Sequence, residues 1–134
     1  MKFGSFIPSM LLSEQAKPFD DDNYIFELKF DGIRANVHAS SKGVRIFSRR
    51  GNEITDQYPE LQSIKRLVSK NVIFDGEIVS FHNGKPSFSK LQKRNLSKNA
   101  SKIARLAEEE PVVFVAFDCI YEAGTLCGKS LIDR

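Results

Sequence analysis

The sequence predicts an α+β fold, antiparallel sheets with helices packed against them. Three observations carry this. Short segments alternate apolar and polar residues and are joined by tight-turn signals, the pattern of neighbouring antiparallel strands. Apolar residues at helical spacing occur only in segments set between those strands. Strands and helices do not alternate one for one, as a doubly wound βαβ sheet would require.

Taken in order, Tyr24 to Phe30 (YIFELKF) reads as the first strand. Tyr24, Phe26, Leu28 and Phe30 share an apolar side; Ile25, Glu27, Lys29 and Asp31 share the other. Asp31-Gly32 signals a turn. Ile33 to Ala39 alternates again, with Arg34, Asn36 and His38 on its polar side. Ser40 to Gly43 turns the chain into a third strand, Val44 to Ser48. Pro59 opens a helix to about Lys70, because proline suits a first turn and Leu61, Ile64, Leu67 and Val68 recur at helical spacing. Leu61, Ile64 and Leu67 are therefore expected in the core. Val72 to Phe81 (VIFDGEIVSF) is a strand interrupted at Gly76, followed by a turn at Asn83-Gly84. Ser87 or Ser89 suits the cap of a short helix, and a second helix is expected over Lys102 to Glu109. Val112 to Tyr121 (VVFVAFDCIY), rich in β-branched and aromatic residues, reads as a buried strand.

The chain has 134 residues, with 41% hydrophobic and 28% charged residues. That balance excludes wholesale disorder, collagen-like repeats and coiled coil, and the length predicts one domain. The longest apolar stretch, Pro111 to Phe117, is far short of the ~20 residues that span a bilayer. No signal peptide is read at the N-terminus, so a cytoplasmic setting is expected, with Cys119 and Cys127 as a reduced thiol pair. The net charge of +3 is mild. Its distribution is not: Lys85, Lys90, Lys93, Arg94, Lys98, Lys102 and Arg105 fall between Glu77 and Glu108 with no acid among them. Such a block suits a polyanion, or is a solvated helix face.

Lys29, Asp31, Gly32 and Arg34 (K-F-D-G-I-R) form the constellation that carries chemistry. A lysine near a strand end, above an apolar sheet, is a candidate covalent nucleophile. It attacks only when neutral, so desolvation or neighbouring cations must lower its pKa; Arg34 and Arg49 are the candidates. Glu27 and Asp31, roughly 7 Å away along the same strand face, oppose this unless engaged elsewhere.

With this pattern the sequence resembles the covalent nucleotidyltransferases, specifically the ATP-dependent DNA ligases. K-F-D-G-I-R resembles their first signature, KxDGxR. S-R-R-G-N-E at Ser48 to Glu53 resembles the second, F-D-G-E-I-V at Phe74 to Val79 the third, and V-A-F-D-C-I-Y at Val115 to Tyr121 the next. L-I-D-R at Leu131 to Arg134 resembles the segment that closes the following loop in bacterial ligases. The likeness spans about Pro8 to Arg134, with order and spacing in agreement.

The resemblance implies a nucleotidyltransferase (ATP-grasp-like) adenylation domain. Residues 1–134 would be its N-terminal portion, incomplete at the C-terminus and without the oligonucleotide-binding β-barrel. Lys29 would attack the α-phosphorus of ATP, release pyrophosphate and hold AMP. Arg34 would bind the ribose and phosphate region, and Arg49 a phosphate. Glu77 would contact the ribose hydroxyls or a metal-bound water. Phe117 would stack on adenine, and Glu27 would read its amino group. Mg2+ would accompany the triphosphate, and the partner would be nicked duplex DNA in a bacterial or phage setting. RNA ligases and capping guanylyltransferases share the lysine signature, so base and acceptor stay open. A non-catalytic nucleic-acid-binding module would instead rest on the basic block.

Overall fold

The computed structural model describes residues 3–126 and 128–134; Cys127, one of the two cysteines expected to be a reduced pair, lies outside them. Two strands, β1 (Ile33–Ser40) and β2 (Gly43–Ser48), form a hairpin whose alternation matches the sequence pattern. A 3-10 helix follows at Pro59–Arg66, then the long strand β3 (Val72–His82). A two-residue strand β4 (Lys85–Pro86), helices α1 (Phe88–Asn95) and α2 (Ala100–Glu109), strand β5 (Val112–Glu122) and a short β6 (Thr125–Leu126) complete the order. The sheet runs β2-β1-β3-β5-β6, every pairing antiparallel, with β4 beside the end of β3. This is the expected α+β architecture. No helix among the described residues is long and apolar enough to cross a membrane.

Register decides which side chains share a face. Ala35, Val37 and Ala39 of β1, Val44 and Ile46 of β2, and Val72 and Ile78 of β3 are buried in one cluster with Tyr58, Leu61, Leu91 and Val112. The 3-10 helix and α1 cover that side. The opposite face is more polar: Arg34 stands across from Glu77, Asn36 from Asp75, and His38 from Ile73. The N-terminal segment lies over part of it. Ile7 packs with Ile73 and Tyr121, and Phe3 stacks against His38 and Tyr121.

Several expectations are corrected. Tyr24 to Phe30 is not a strand but irregular coil that opens on a turn at Tyr24. Extended backbone becomes a strand only when a neighbour takes its hydrogen bonds, and none among the described residues does. Tyr24, Phe26 and Leu28 consequently face solvent. The expected helix to Lys70 is a 3-10 helix that stops at Arg66. Leu61 is buried and Ile64 partly so, but Leu67, just past the end, is 83% exposed. Gly76 does not end β3, which continues to His82, although its pairing with β5 shifts register between Asp75 and Gly76. A Cβ at Gly76 would come within 2.4 Å of the Val115 carbonyl oxygen and 2.5 Å of the Phe114 ring. Glycine there allows the close approach of the neighbouring strand. Glu77 thus sits on a central strand, not an edge. Strand β5 is not the buried strand expected: Val112 and Tyr121 are buried, while Val113 and Phe117 are exposed.

The Asn83-Gly84 turn forms as expected, both residues having positive φ, the two-residue hairpin geometry that this pair favours. Ser87 occupies the cap position of α1 without making a capping bond, and α2 starts earlier than expected, capped by Asn99 Oδ1 accepting from the Lys102 N–H at 3.0 Å. Three of the seven cations have an acid beside them. Arg94 is buried against Glu60, Lys90 pairs with Glu110 and Arg105 with Glu109. The acids lie outside the sequence window in which the cations were counted.

His38 illustrates what the N-terminal segment does. Its Nδ1 accepts the Gly4 N–H at 3.2 Å, and Nε2 is buried among rings without a hydrogen-bond partner. Burial, aided by the nearby Arg45 charge, pushes its pKa down to about 4. The unfolded chain takes up that proton near pH 6.5. Stability from this group is therefore full above pH 6.5 and is lost as pH falls toward 4, by about 2–4 kcal/mol. Denaturant unfolding of the native protein and His38→Gln at pH 7 and pH 4.5 checks this. The native protein should lose more stability between the two pH values than the variant.

Candidate functional site

Three of the expected site residues, Arg34, Glu77 and Phe117, lie near the start of β1, where β3 and β5 cross the middle of the sheet. Gly32 leads into β1, and a Cβ there would lie 2.1 Å from the Ile78 carbonyl oxygen. Only glycine lets the chain enter so close to β3. The same closeness allows the Gly32 N–H to donate to Glu77 Oε1 at 3.2 Å. Glu77 is half-buried, and burial pushes its carboxyl pKa upward, opposed by the Gly32 N–H and by the charges of Arg34 and Lys29.

Arg34 stands directly across from Glu77 but reaches past it. Its Nε and Nη2 donate to Asp75 Oδ1 and Oδ2 at 3.2 and 2.9 Å, a two-toothed pair in which Asp75 is buried. That hydrogen bonding holds the guanidinium pKa even above its usual high value. Arg34 was expected to spend its donors on a nucleotide; here Nη1 is the nitrogen left over by Asp75. The guanidinium also sits 5.3 Å from the centre of the Phe117 ring, within cation–π distance. Phe117 is 37% exposed. A ring this open on a central β5 position is unusual for a residue whose default is core packing. Arg34 thus has Glu77 across from it and Phe117 against its guanidinium.

Lys29 departs from expectation. It lies in irregular coil, its side chain 82% exposed rather than half-buried, and Nζ donates to Asp31 at 2.5 Å. The neighbour is an acid, not Arg34 or Arg49. The Asp31 hydrogen bond and charge, with Glu77 adding to them, hold the amine above its usual pKa. Lys29 is therefore protonated at neutral pH in this state. It stays within electrostatic reach of Glu77, two residues before the Asp31–Gly32 entry to β1. Arg49 is exposed in the turn after β2. Its neighbour Ser48 pairs with Ala35, so the turn lies beside the Arg34 end of β1. Glu27 is exposed in the coil with Lys29 and is not drawn into the Arg34–Glu77–Phe117 group.

Asp75 and Asp118 are network residues. They face each other across β3 and β5, and each has its own arginine: Arg34 for Asp75, and Arg134 Nη1 at 3.2 Å for Asp118. What the sequence did not assign is the consequence for Arg34. The signal was the spacing: Asp75 and Glu77 lie two apart, hence on one face of the strand. Among the described residues no group of three acidic, histidine or cysteine side chains could hold an ion, and Glu77 is the single half-buried carboxylate beside Gly32.

Comparison with known proteins fits this geometry. Residues 9–134 match the model of the ATP dependent DNA ligase domain. The chain belongs to that family. Among its relatives, a probable DNA ligase of Koribacter versatilis (strain Ellin345) is 45% identical over 84% of this chain and 19% of its own length. The SPbeta prophage-derived DNA ligase-like protein LigB of Bacillus subtilis (strain 168) is 34% identical over 96% of this chain and 45% of its own. The structure of mycobacterial DNA ligase D complexed with ATP and MES superposes with a TM-score of 0.65 at 34% identity, covering 81% of this chain and 33% of that one. The chain thus spans less than half the length of these proteins.

Proposed function

We propose that this chain carries the nucleotide site of an ATP-dependent DNA ligase, as the N-terminal portion of its adenylation domain. In this reading Lys29 Nζ bonds to the α-phosphorus of ATP while the bond from that phosphorus to the bridging oxygen breaks. Pyrophosphate leaves, the lysine ammonium gives two protons to solvent, one before attack and one after it, and AMP stays on Lys29. AMP then moves to a 5′-phosphate at a nick in duplex DNA, and a 3′-hydroxyl displaces it to seal the strand. The setting is cytoplasmic, in a bacterial or phage context.

The observation that carries the reading is the meeting of Arg34 with the open ring of Phe117 beside half-buried Glu77. An exposed aromatic face suits a purine, and such stacking contributes about 1–3 kcal/mol. Arg34 Nη1 and Arg49 supply guanidinium donors for phosphate oxygens, and Glu77 Oε2 is an acceptor for a ribose hydroxyl. Glu27 as a reader of the adenine amino group requires the exposed coil to fold toward Phe117. Mg2+ enters as the companion of the triphosphate, its ligands phosphate oxygens and water.

The test is incubation of the intact protein with ATP or GTP labelled at the α-phosphate, followed by nicked DNA or nicked RNA. The expected result is a covalent label from ATP that is chased onto DNA. Label from GTP alone would point to a capping-type enzyme, and transfer to RNA alone to an RNA ligase. Tight duplex binding without ATP binding would leave a non-catalytic nucleic-acid module.

A further inference from the structure

We propose that Asp75 is a positioning residue, whose buried carboxylate fixes the Arg34 guanidinium beside Phe117 and so sets where the nucleotide sits. The inference rests on the nucleotide site proposed above and adds to it a residue that touches no substrate.

Three features of the geometry point to it. First, Arg34 ignores its direct cross-strand partner. Glu77 stands opposite it, yet both donor bonds run to Asp75, two residues back on the same face. Glu77 is thereby left to Gly32 and to whatever enters the site. Second, Asp75 is committed inward. Both its oxygens are taken by Arg34, and Oδ1 also accepts from Ser9 Oγ at 3.4 Å. Ser9 Oγ in turn accepts from Asn36 Nδ2 at 3.3 Å. The N-terminal segment and β1 thus brace the carboxylate from behind. Third, the guanidinium held this way is left with Nη1 as its unengaged edge and lies against a ring that is still open. A free arginine must give up its rotamer freedom on binding; one already clamped has little left to lose. Buried support of this kind keeps a binding group within the narrow tolerance that reaction geometry demands.

A merely structural ion pair would show the same contacts, so the test must read nucleotide binding. In the intact protein, ATP affinity, the KM and kcat of self-adenylation, and the unfolding midpoint are measured for Asp75→Asn, Arg34→Gln and the double variant. Asp75→Asn should weaken ATP binding and raise KM by roughly tenfold to a hundredfold, with a smaller effect on kcat. The double variant should bind no worse than the poorer single one, because the first change acts through Arg34. Unchanged ATP affinity with only a lowered unfolding midpoint would overturn the proposal, as would penalties that add. If Asp75→Asn does not fold, Ser9→Ala, which removes one brace, should shift KM in the same direction by a few-fold; no shift overturns it. Native protein that binds no ATP would refute the nucleotide site itself. ATP binding indifferent to Asp75 refutes only this role.

Discussion

With Arg94 replaced by alanine, the protein is expected to lose about 3–5 kcal/mol of stability, the range for removing one partner of a buried ion pair. Arg94 is 1% exposed. Its Nη2 donates to both Glu60 oxygens at 2.8 and 3.0 Å and to the Gln57 carbonyl at 3.1 Å; Nη1 donates to the Glu110 carbonyl at 3.3 Å. The guanidinium also lies 5.6 Å from the centre of the buried Tyr58 ring. Glu60 closes the circuit by accepting the Val112 N–H at 3.1 Å. One side chain thus ties α1 to the 3-10 helix, the end of α2 and the start of β5. Alanine leaves a carboxylate, two carbonyls and a cavity unserved. Denaturant unfolding measures the loss; less than about 1 kcal/mol would mean that Glu60 finds water and the pair is ornamental. Arg94→Met with Glu60→Gln should recover part of the loss, because no unpaired charge remains.

Replacing Lys29 by alanine is expected to have the largest effect on chemistry: self-adenylation falls to background while the fold is untouched. The side chain is exposed and makes one contact, to Asp31, so its loss costs little stability. Because Asp31 holds the amine protonated, the native rate should rise about tenfold per pH unit from pH 6 to 8, as the neutral fraction grows. Asp31→Asn removes the main cause of the raised pKa and should move that rise to lower pH. A rate independent of pH across this range would mean that the amine is already neutral when it attacks. Retained labelling in Lys29→Ala would remove it from the reaction.

The strands with a neighbour in hand were legible. β1, β2, β3 and β5 fall within a residue or two of their expected positions, because alternation and β-branched runs register directly in a paired strand. Tyr24 to Phe30 failed for the complementary reason. Its pattern is as strong as any, but a strand is a pairing, and pattern alone does not supply the pair. Leu67 failed because helical spacing continues past the residue at which the backbone stops. In the site, Arg34 lies across from Glu77 and against the Phe117 ring, three residues that the signatures had singled out. The Asp75 clamp was not, since it depends on a side chain passing over its nearest partner. The Asp31 contact was foreseeable from spacing, and the sequence registered it as an objection to a lowered lysine pKa. The structure sides with that objection. The basic block shows the limit of reading charge along a line: Glu60 lies 34 residues from Arg94 in sequence and 2.8 Å away in space.

The central claim is that the Lys29 amine receives the adenylyl group. The most direct measurement is to incubate the intact protein with ATP, digest it at neutral or alkaline pH to preserve a phosphoramidate, and map the added AMP by mass spectrometry. AMP on Lys29, lost after brief acid treatment, is the predicted result. AMP on another lysine, with the Lys29 peptide unmodified, would contradict it.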